Sequence, residues 1–292
     1  MTSTRMRSLS TTIATACAAV AALVLSGCGG GGAADGTISS TSVKGPVSAG
    51  TLAAYRVNNG QRGDEIGRCT TDEQGNCTLS VGNHSGPVML SMSGGTYTDE
   101  ATGQRMNMGA ADAMSALIDQ MCEGCAITGV QVTPLTSMAQ SMAACMAGGM
   151  TSGNIVTANR EVGAYFRIND ILRTRPMNPL DNGSGTAATD DSRHYGIALG
   201  AMSRYAVNMG MSASSPVVSA MTADACDGVL DGQDRGQPIS MERGPMYRDA
   251  GTIGLATAMR DFVGSIRNTS GVTLEQMATL LQSLESSNGR IH

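Results

Sequence analysis

Aromatic side chains are nearly missing from this 292-residue chain, which has no tryptophan, two phenylalanines and six tyrosines. Without large rings the core must be filled by aliphatic groups and by the 21 methionines. Methionine fills irregular gaps well but specifies packing less sharply than branched side chains do. Histidine is scarce too, with His84, His194 and His292 the whole supply. No His-Glu-x-x-His run and no Gly-x-Ser-x-Gly elbow occurs, so no nucleophile and base can be read as a pair. On that ground the chain is expected not to be an enzyme, with no catalytic residue to name. Charge is sparse, at 15% of residues with a net charge of -5. No cluster of Lys and Arg follows the N-terminal segment, which argues against a nucleic-acid partner. No later stretch is long and apolar enough to cross a bilayer.

What is present begins at the N-terminus. Arg5 and Arg7 precede a short apolar run that ends in Leu25-Ser26-Gly27-Cys28. Basic residues, a short apolar core and then small residues are the layout of a secretory signal. The final four residues resemble the lipobox of bacterial lipoproteins. That resemblance implies cleavage before Cys28 and a diacylglyceryl thioether on its sulfur. Residues 1–27 are then a signal peptide, and residues 28–36, rich in Gly and Ala, a flexible tether. Membrane contact would come through lipid, with burial worth about 0.8 kcal/mol per CH₂. Gly29 follows the cysteine where lipoproteins of the enteric type carry a retention aspartate. This tilts localisation toward the outer membrane, on its periplasmic face or at the cell surface.

Six further cysteines follow, at 69, 77, 122, 125, 145 and 226. An exported chain meets an oxidising compartment, and an even number suits full pairing. Many connectivities are open, but local sequence favours two bonds. Cys69 and Cys77 flank a turn-like Thr70-Thr71-Asp72-Glu73-Gln74-Gly75-Asn76. Cys122 and Cys125 flank a tight Glu-Gly loop, which also has the spacing of redox and zinc sites. Cys145 and Cys226 are then left for each other.

From Thr37 to about Thr133, short runs of Val, Thr, Leu and Tyr alternate with Gly, Asn, Asp and Pro, the texture of short strands. After Pro134 the period lengthens and reads as helices over Leu135–Met146, Asn154–Phe166, Asp190–Met209, Ser215–Cys226, Pro245–Arg267 and Thr273–Glu285. Thr273 with Gln276 has the spacing of a capping box. Two stretches, Thr174–Thr189 and Val229–Gly244, read as long loops. The expected class is α+β, with a small antiparallel β-sandwich over residues 37–133 followed by an all-α domain over residues 134–292.

Three segments carry a further likeness. They are Ser42-Val43-Lys44-Gly45-Pro46-Val47-Ser48, Thr70-Thr71-Asp72 through Asn76, and Gly94-Gly95-Thr96-Tyr97-Thr98-Asp99-Glu100-Ala101-Thr102-Gly103. They resemble the carboxypeptidase regulatory-like domain, a transthyretin-type sandwich of exported bacterial proteins. Val132-Thr133-Pro134-Leu135-Thr136, His194-Tyr195-Gly196-Ile197-Ala198-Leu199 and Asp227-Gly228-Val229-Leu230-Asp231-Gly232 are similar to a helical region that follows the sandwich in bacterial lipoproteins. Cys77 departs from the pattern, standing where that turn is usually followed by an apolar residue. The resemblance implies a stable interaction module with no peptidase activity of its own.

Two metal readings compete with that module. Asp227, Asp231 and Asp234, with Asp224 beside them, crowd a Gly-rich stretch and offer oxygen ligands for Ca²⁺, though not at EF-hand spacing. Met138, Met142, Met146 and Met150 recur every four residues beside Cys145. That set is soft enough for Cu(I), or simply one buried helix face. The leading expectation is a lipid-anchored, non-enzymatic envelope protein acting as a binding or surface-assembly module, with no cofactor beyond the lipid. The alternative is a periplasmic metal-binding protein.

Overall fold

The computed structural model describes residues 34–109 and 112–291. Cys28, the signal segment and most of the tether lie outside the described residues. All described residues fall in one compact unit. The class is α+β.

Nine strands come first: β1 (Gly36–Ser42), β2 (Thr51–Asn58), β3 (Gln61–Thr70), β4 (Asn76–Gly82), β5 (Gly86–Ser93), β6 (Thr96–Thr98), β7 (Arg105–Asn107), β8 (Met114–Met121) and β9 (Ala126–Val132). They form one sheet in the order β4-β1-β9, another in the order β3-β2-β5-β8, and a small β6-β7 ribbon. One pairing departs from the antiparallel expectation, because β9 runs parallel to β1, with Ile38 opposite Ile127. A parallel neighbour cannot be joined by a tight hairpin. The chain makes it only after traversing the whole four-stranded sheet.

The two larger sheets share a core. Ile38, Leu79 and Val130 of one pack with Leu52, Leu90, Ala116 and Ile118 of the other. The second face of the four-stranded sheet is covered as well. Val57 and Leu117 belong to the core of the helical half, and Met89 packs against it. That is why β8 reads Met-Ser-Ala-Leu-Ile with every side chain buried. A strand covered on both faces loses the polar alternation of a half-exposed one.

The turn between β3 and β4, which crosses from one sheet to the other, follows its sequence. Asp72 Oδ1 accepts from the backbone N–H of Gln74 at 2.9 Å and of Asn76 at 2.8 Å. These bonds hold the Asp72 carboxyl below its ordinary pKa, with the Asn76 N–H the largest influence.

Helices follow: α1 (Pro134–Cys145), α2 (Ser152–Tyr165), α3 (Asp190–Asn208), α4 (Ser215–Asp224), α5 (Ile253–Val263) and α6 (Leu274–Ser286). Thr133 caps α1 with a reciprocal box to Thr136, and Pro134 occupies the first turn, where a missing N–H costs nothing. The Thr273–Gln276 box caps α6 as its spacing predicts. No helix among the described residues is long and apolar enough to cross a membrane.

Two expectations for this half change. The helix anticipated from Pro245 starts only at Ile253, because the segment before it turns back on itself. Ala250 N donates to Tyr247 O at 3.0 Å, and Gly254 N to Asp249 O at 2.8 Å. Gly251 meanwhile packs so closely on Leu230 that no side chain would fit there. The second half is also not all-α. The stretch read as a long loop contains β10 (Gln233–Asp234), β11 (Gln237–Pro238), β12 (Ser240–Met241) and β13 (Gly244–Pro245), two-residue ribbons too short to show a period in sequence.

Candidate functional site

The sulfurs lie where local sequence favours them. The structure carries bonds Cys69–Cys77, Cys122–Cys125 and Cys145–Cys226. The first joins β3 to the start of β4, strands that belong to different sheets. The last ties the end of α1 to the turn after α4.

The methionine stripe is core. Met138, Met142 and Met150 are buried in the helical half and Met146 packs against them. Cys145 is bonded to Cys226 and offers no thiolate.

Two of the three candidate calcium aspartates serve their own loop, and Oδ1 of the third, Asp234, has no hydrogen-bond partner. Asp227 accepts from Val229 N at 3.1 Å and from Arg235 N at 2.9 Å, and Asp231 from Gln233 N at 3.1 Å. Asp234 lies 3.8 Å from the Arg235 guanidinium. Among the described residues, no group of three or more His, Cys, Asp or Glu side chains stands close enough to hold a metal ion.

The fourth aspartate matters more. Asp224 is fully buried and accepts from Gly232 N at 3.1 Å and Gln233 N at 3.0 Å. Burial pushes its carboxyl from 3.8 up to about 7, although the two backbone N–H groups pull the other way. The folded chain therefore holds a proton at Asp224 that the unfolded chain has released. The contribution to stability is complete below about pH 4 and lost as pH rises through about 7. Urea midpoints measured from about pH 5 to about pH 8 are expected to fall, and the fall to shrink in Asp224→Asn. Equal slopes in the two chains would refute this origin.

His84 is nearly buried, with Nε2 3.2 Å from the Pro87 carbonyl. His194 sits on α3 with Nδ1 2.9 Å from the Arg167 carbonyl. It lines a depression of about 590 Å³ in which Thr279 supplies the hydroxyl.

One buried ionic cluster among the described residues was not anticipated. Lys44, between β1 and β2, is 3% exposed, and Glu100, between β6 and β7, is 1% exposed. Lys44 Nζ donates to Glu100 Oε2 at 2.6 Å and to Ser203 Oγ of α3 at 2.5 Å. Ser203 Oγ in turn donates to Glu100 Oε2 at 2.6 Å. Beside this triad, Ser214 donates to Asp99 Oδ2 at 2.8 Å, and the Tyr97 ring lies 5.7 Å from the ammonium.

Two motifs noted in the sequence, around Lys44 and around Tyr97–Gly103, thus meet at one point and grip the helical layer. Gly45 lets them meet. It has φ +61°, and a Cβ there would collide with the Thr98 carbonyl. The signal was a lysine and two carboxylates set among small and apolar residues. Nothing in one sequence says that they touch.

Burial lowers the affinity of the Lys44 amine for its proton, but the charges of Glu100 and Asp99 outweigh it and hold the pKa above the ordinary value. Burial lifts the Tyr97 phenol. For Asp99, burial is overcome by Lys44 and Ser214, which keep its carboxyl ionised more strongly than usual. An ammonium cannot take a proton from Ser203, and Ser203 is fully buried. The pair is an ionic tie rather than a nucleophile with its base.

Glu100 also lines a cleft of about 290 Å³. One wall is the segment around Val43 and Pro46, the second is the strap Arg175–Asp181, and the third is α3 at Gly196 and Leu199. The strap is fixed to α3, with Met177 N donating to Ser192 O at 3.0 Å and Ser192 Oγ to Arg175 O at 2.7 Å. Gly196 permits this approach, since a Cβ would overlap the Met177 carbonyl. Apolar walls and a few polar groups at a layer junction are the usual make-up of a small-ligand site.

No family model and no curated protein matches the chain. Among solved structures, the chain is similar to a 9R-lipoxygenase from Cyanothece PCC8801, at 10% identity and a TM-score of 0.22. The match covers 66% of this chain and 24% of the lipoxygenase, so the chain spans about a quarter of that protein. The expectation that the chain is not an enzyme is withdrawn: it rested on missing motifs alone, and the matched structure, though an enzyme, is too distant to decide the point either way. The score is too low to carry any argument about a reaction.

Proposed function

We propose that this chain is a lipid-anchored protein of the bacterial cell envelope, attached through Cys28, whose folded part is a binding or surface-assembly module. The observation that carries the reading is the state of the thiols. The six cysteines among the described residues are all taken up in disulfides, which suits an exported chain in an oxidising compartment. Lipidation suits Cys28 on its own motif, Leu25-Ser26-Gly27-Cys28. The folded part reads as a carboxypeptidase regulatory-like sandwich over residues 37–133 followed by a helical domain. Support comes from the two facing sheets and from the turn at Asp72, one of the segments that carry the resemblance. The cleft between Pro46 and the strap is a surface suited to binding. The membrane is reached by lipid, with the outer membrane favoured.

Metabolic labelling with a palmitate analogue tests the anchor. The parent chain is expected to take label and to partition with membranes, and Cys28→Ala to lose both. Equal soluble export of the two chains would refute it.

A further inference from the structure

We infer that the Cys122–Cys125 bond is a thiol–disulfide exchange site. It is the disulfide that an outside dithiol opens while the fold stands, and its opening unclamps the start of β1. Three observations carry this.

The first is access. Among the cysteines of the described residues Cys122 alone is exposed, while Cys125, Cys69, Cys77, Cys145 and Cys226 are half-buried. Exchange depends on which sulfur an entering thiolate can reach. The exposed sulfur is attacked and the covered one leaves. A thiolate of the dithiol bonds to Cys122 Sγ, the S–S bond breaks, and Cys125 departs as a thiolate that takes a proton from water. The second thiol of the dithiol then attacks the mixed disulfide and frees Cys122, which is protonated in turn. Two electrons pass to the protein, and the dithiol ends as a disulfide.

The second is how little the fold needs this bond. Its cysteines are three residues apart in sequence, against 8 for Cys69–Cys77 and 81 for Cys145–Cys226. A bond that closes so short a loop constrains the unfolded chain least, so the fold outlasts its opening. The loop holds Glu123 and neither Lys nor Arg. It joins β8 to β9 and starts no helix. Nothing there stabilises a thiolate, so the pair is acted on by a dithiol and does not itself oxidise others.

The third is what the bond holds. Thr37 N donates to Cys125 O at 2.9 Å, beside the first rung of the parallel pair, Thr37 opposite Ala126. Gly124 has φ +69°, and a Cβ there would stand 3.0 Å from the Ala34 carbonyl. The bonded turn thus seats both the first residues of β1 and the segment just before them. Opening it frees this end and leaves the rest of the sheet paired.

Timed reduction of the full chain in mild detergent tests the inference, with dithiothreitol as the dithiol. Samples are quenched with N-ethylmaleimide and mapped by peptide mass spectrometry. Cys122–Cys125 is expected to open at least about tenfold faster than either other bond. With 2-mercaptoethanol, a monothiol, the mixed disulfide is expected on Cys122 and the maleimide on Cys125. In a chain carrying Cys122→Ser and Cys125→Ser, hydrogen exchange at the Thr37 amide is expected to speed up about tenfold or more, with the amides of β5 unchanged.

Similar opening rates for the three bonds, or another bond opening first, would overturn the site. A monothiol adduct chiefly on Cys125 would overturn the order of attack, and a Thr37 amide that exchanges as in the parent would overturn the clamp. None of these results depends on label at Cys28, so this inference and the anchor stand or fall separately.

Discussion

Lys44→Met is expected to cost the fold about 3–5 kcal/mol in urea denaturation followed by circular dichroism. Glu100 is 1% exposed, and without Lys44 its charge would be buried beside Asp99 with only Ser203 to donate. Removing one member of a buried pair is worse than removing both, because the survivor keeps its desolvation penalty. Lys44→Met with Glu100→Gln in the same chain is therefore expected to recover more than half of the loss. The single variant should also suffer least in acid, where a lone buried carboxyl can take a proton. A loss under about 1 kcal/mol, or a double variant no better than the single, would show that the pair is not the tie between the layers.

The second large effect lies in the third disulfide. Cys145 and Cys226 are 81 residues apart in sequence, and Cys122 and Cys125 only three. In the chain-entropy account the longer loop stabilises by about 4.5 kcal/mol and the shorter by about 2 kcal/mol. Replacing Cys145 and Cys226 together by Ser is expected to lower the urea midpoint well beyond what replacing Cys122 and Cys125 does. The bond closes a loop that holds α2, the strap, α3 and α4, so its loss frees the largest stretch of chain. An inverted order between the two double variants would mean that strain or residual structure, not loop closure, sets the effect.

Much of the secondary structure was legible because it depends on neighbours in sequence. The Thr70–Asn76 turn follows from an aspartate with acceptors two and four residues from the N–H groups it binds. The Thr273–Gln276 cap follows from spacing alone. The strand texture of the first half and the starts of α1, α3, α4 and α6 come from period and breakers. Legibility failed where packing overruled the local pattern. The segment from Pro245 to Thr252 carries enough apolar and small residues to look helical, but Gly251 is pressed against Leu230 and the chain turns instead. The ribbons β10 to β13 are too short for any period.

The site was illegible for a different reason. Lys44, Glu100 and Ser203 are separated by 56 and 103 residues, and nothing local marks them as partners. The aspartates that looked like a metal cluster are near in sequence, yet Asp227 and Asp231 spend oxygens on their own loop and Asp234 approaches only Arg235. Asp224, which that reading set beside the other three, is the one of them that is fully buried and shifted in pKa.

By itself, the sequence determined the lipidation motif expected at Cys28, the even set of later cysteines, the β-then-α texture and the turns and caps, since these rest on covalent order and on contacts a few residues long. Tertiary structure alone decided that β9 lies parallel to β1, that both faces of the four-stranded sheet are covered, and that Lys44 and Glu100 are buried together under α3 beside a cleft. Those features depend on residues far apart in the chain being brought within a few ångströms, where charge, burial and shape act together.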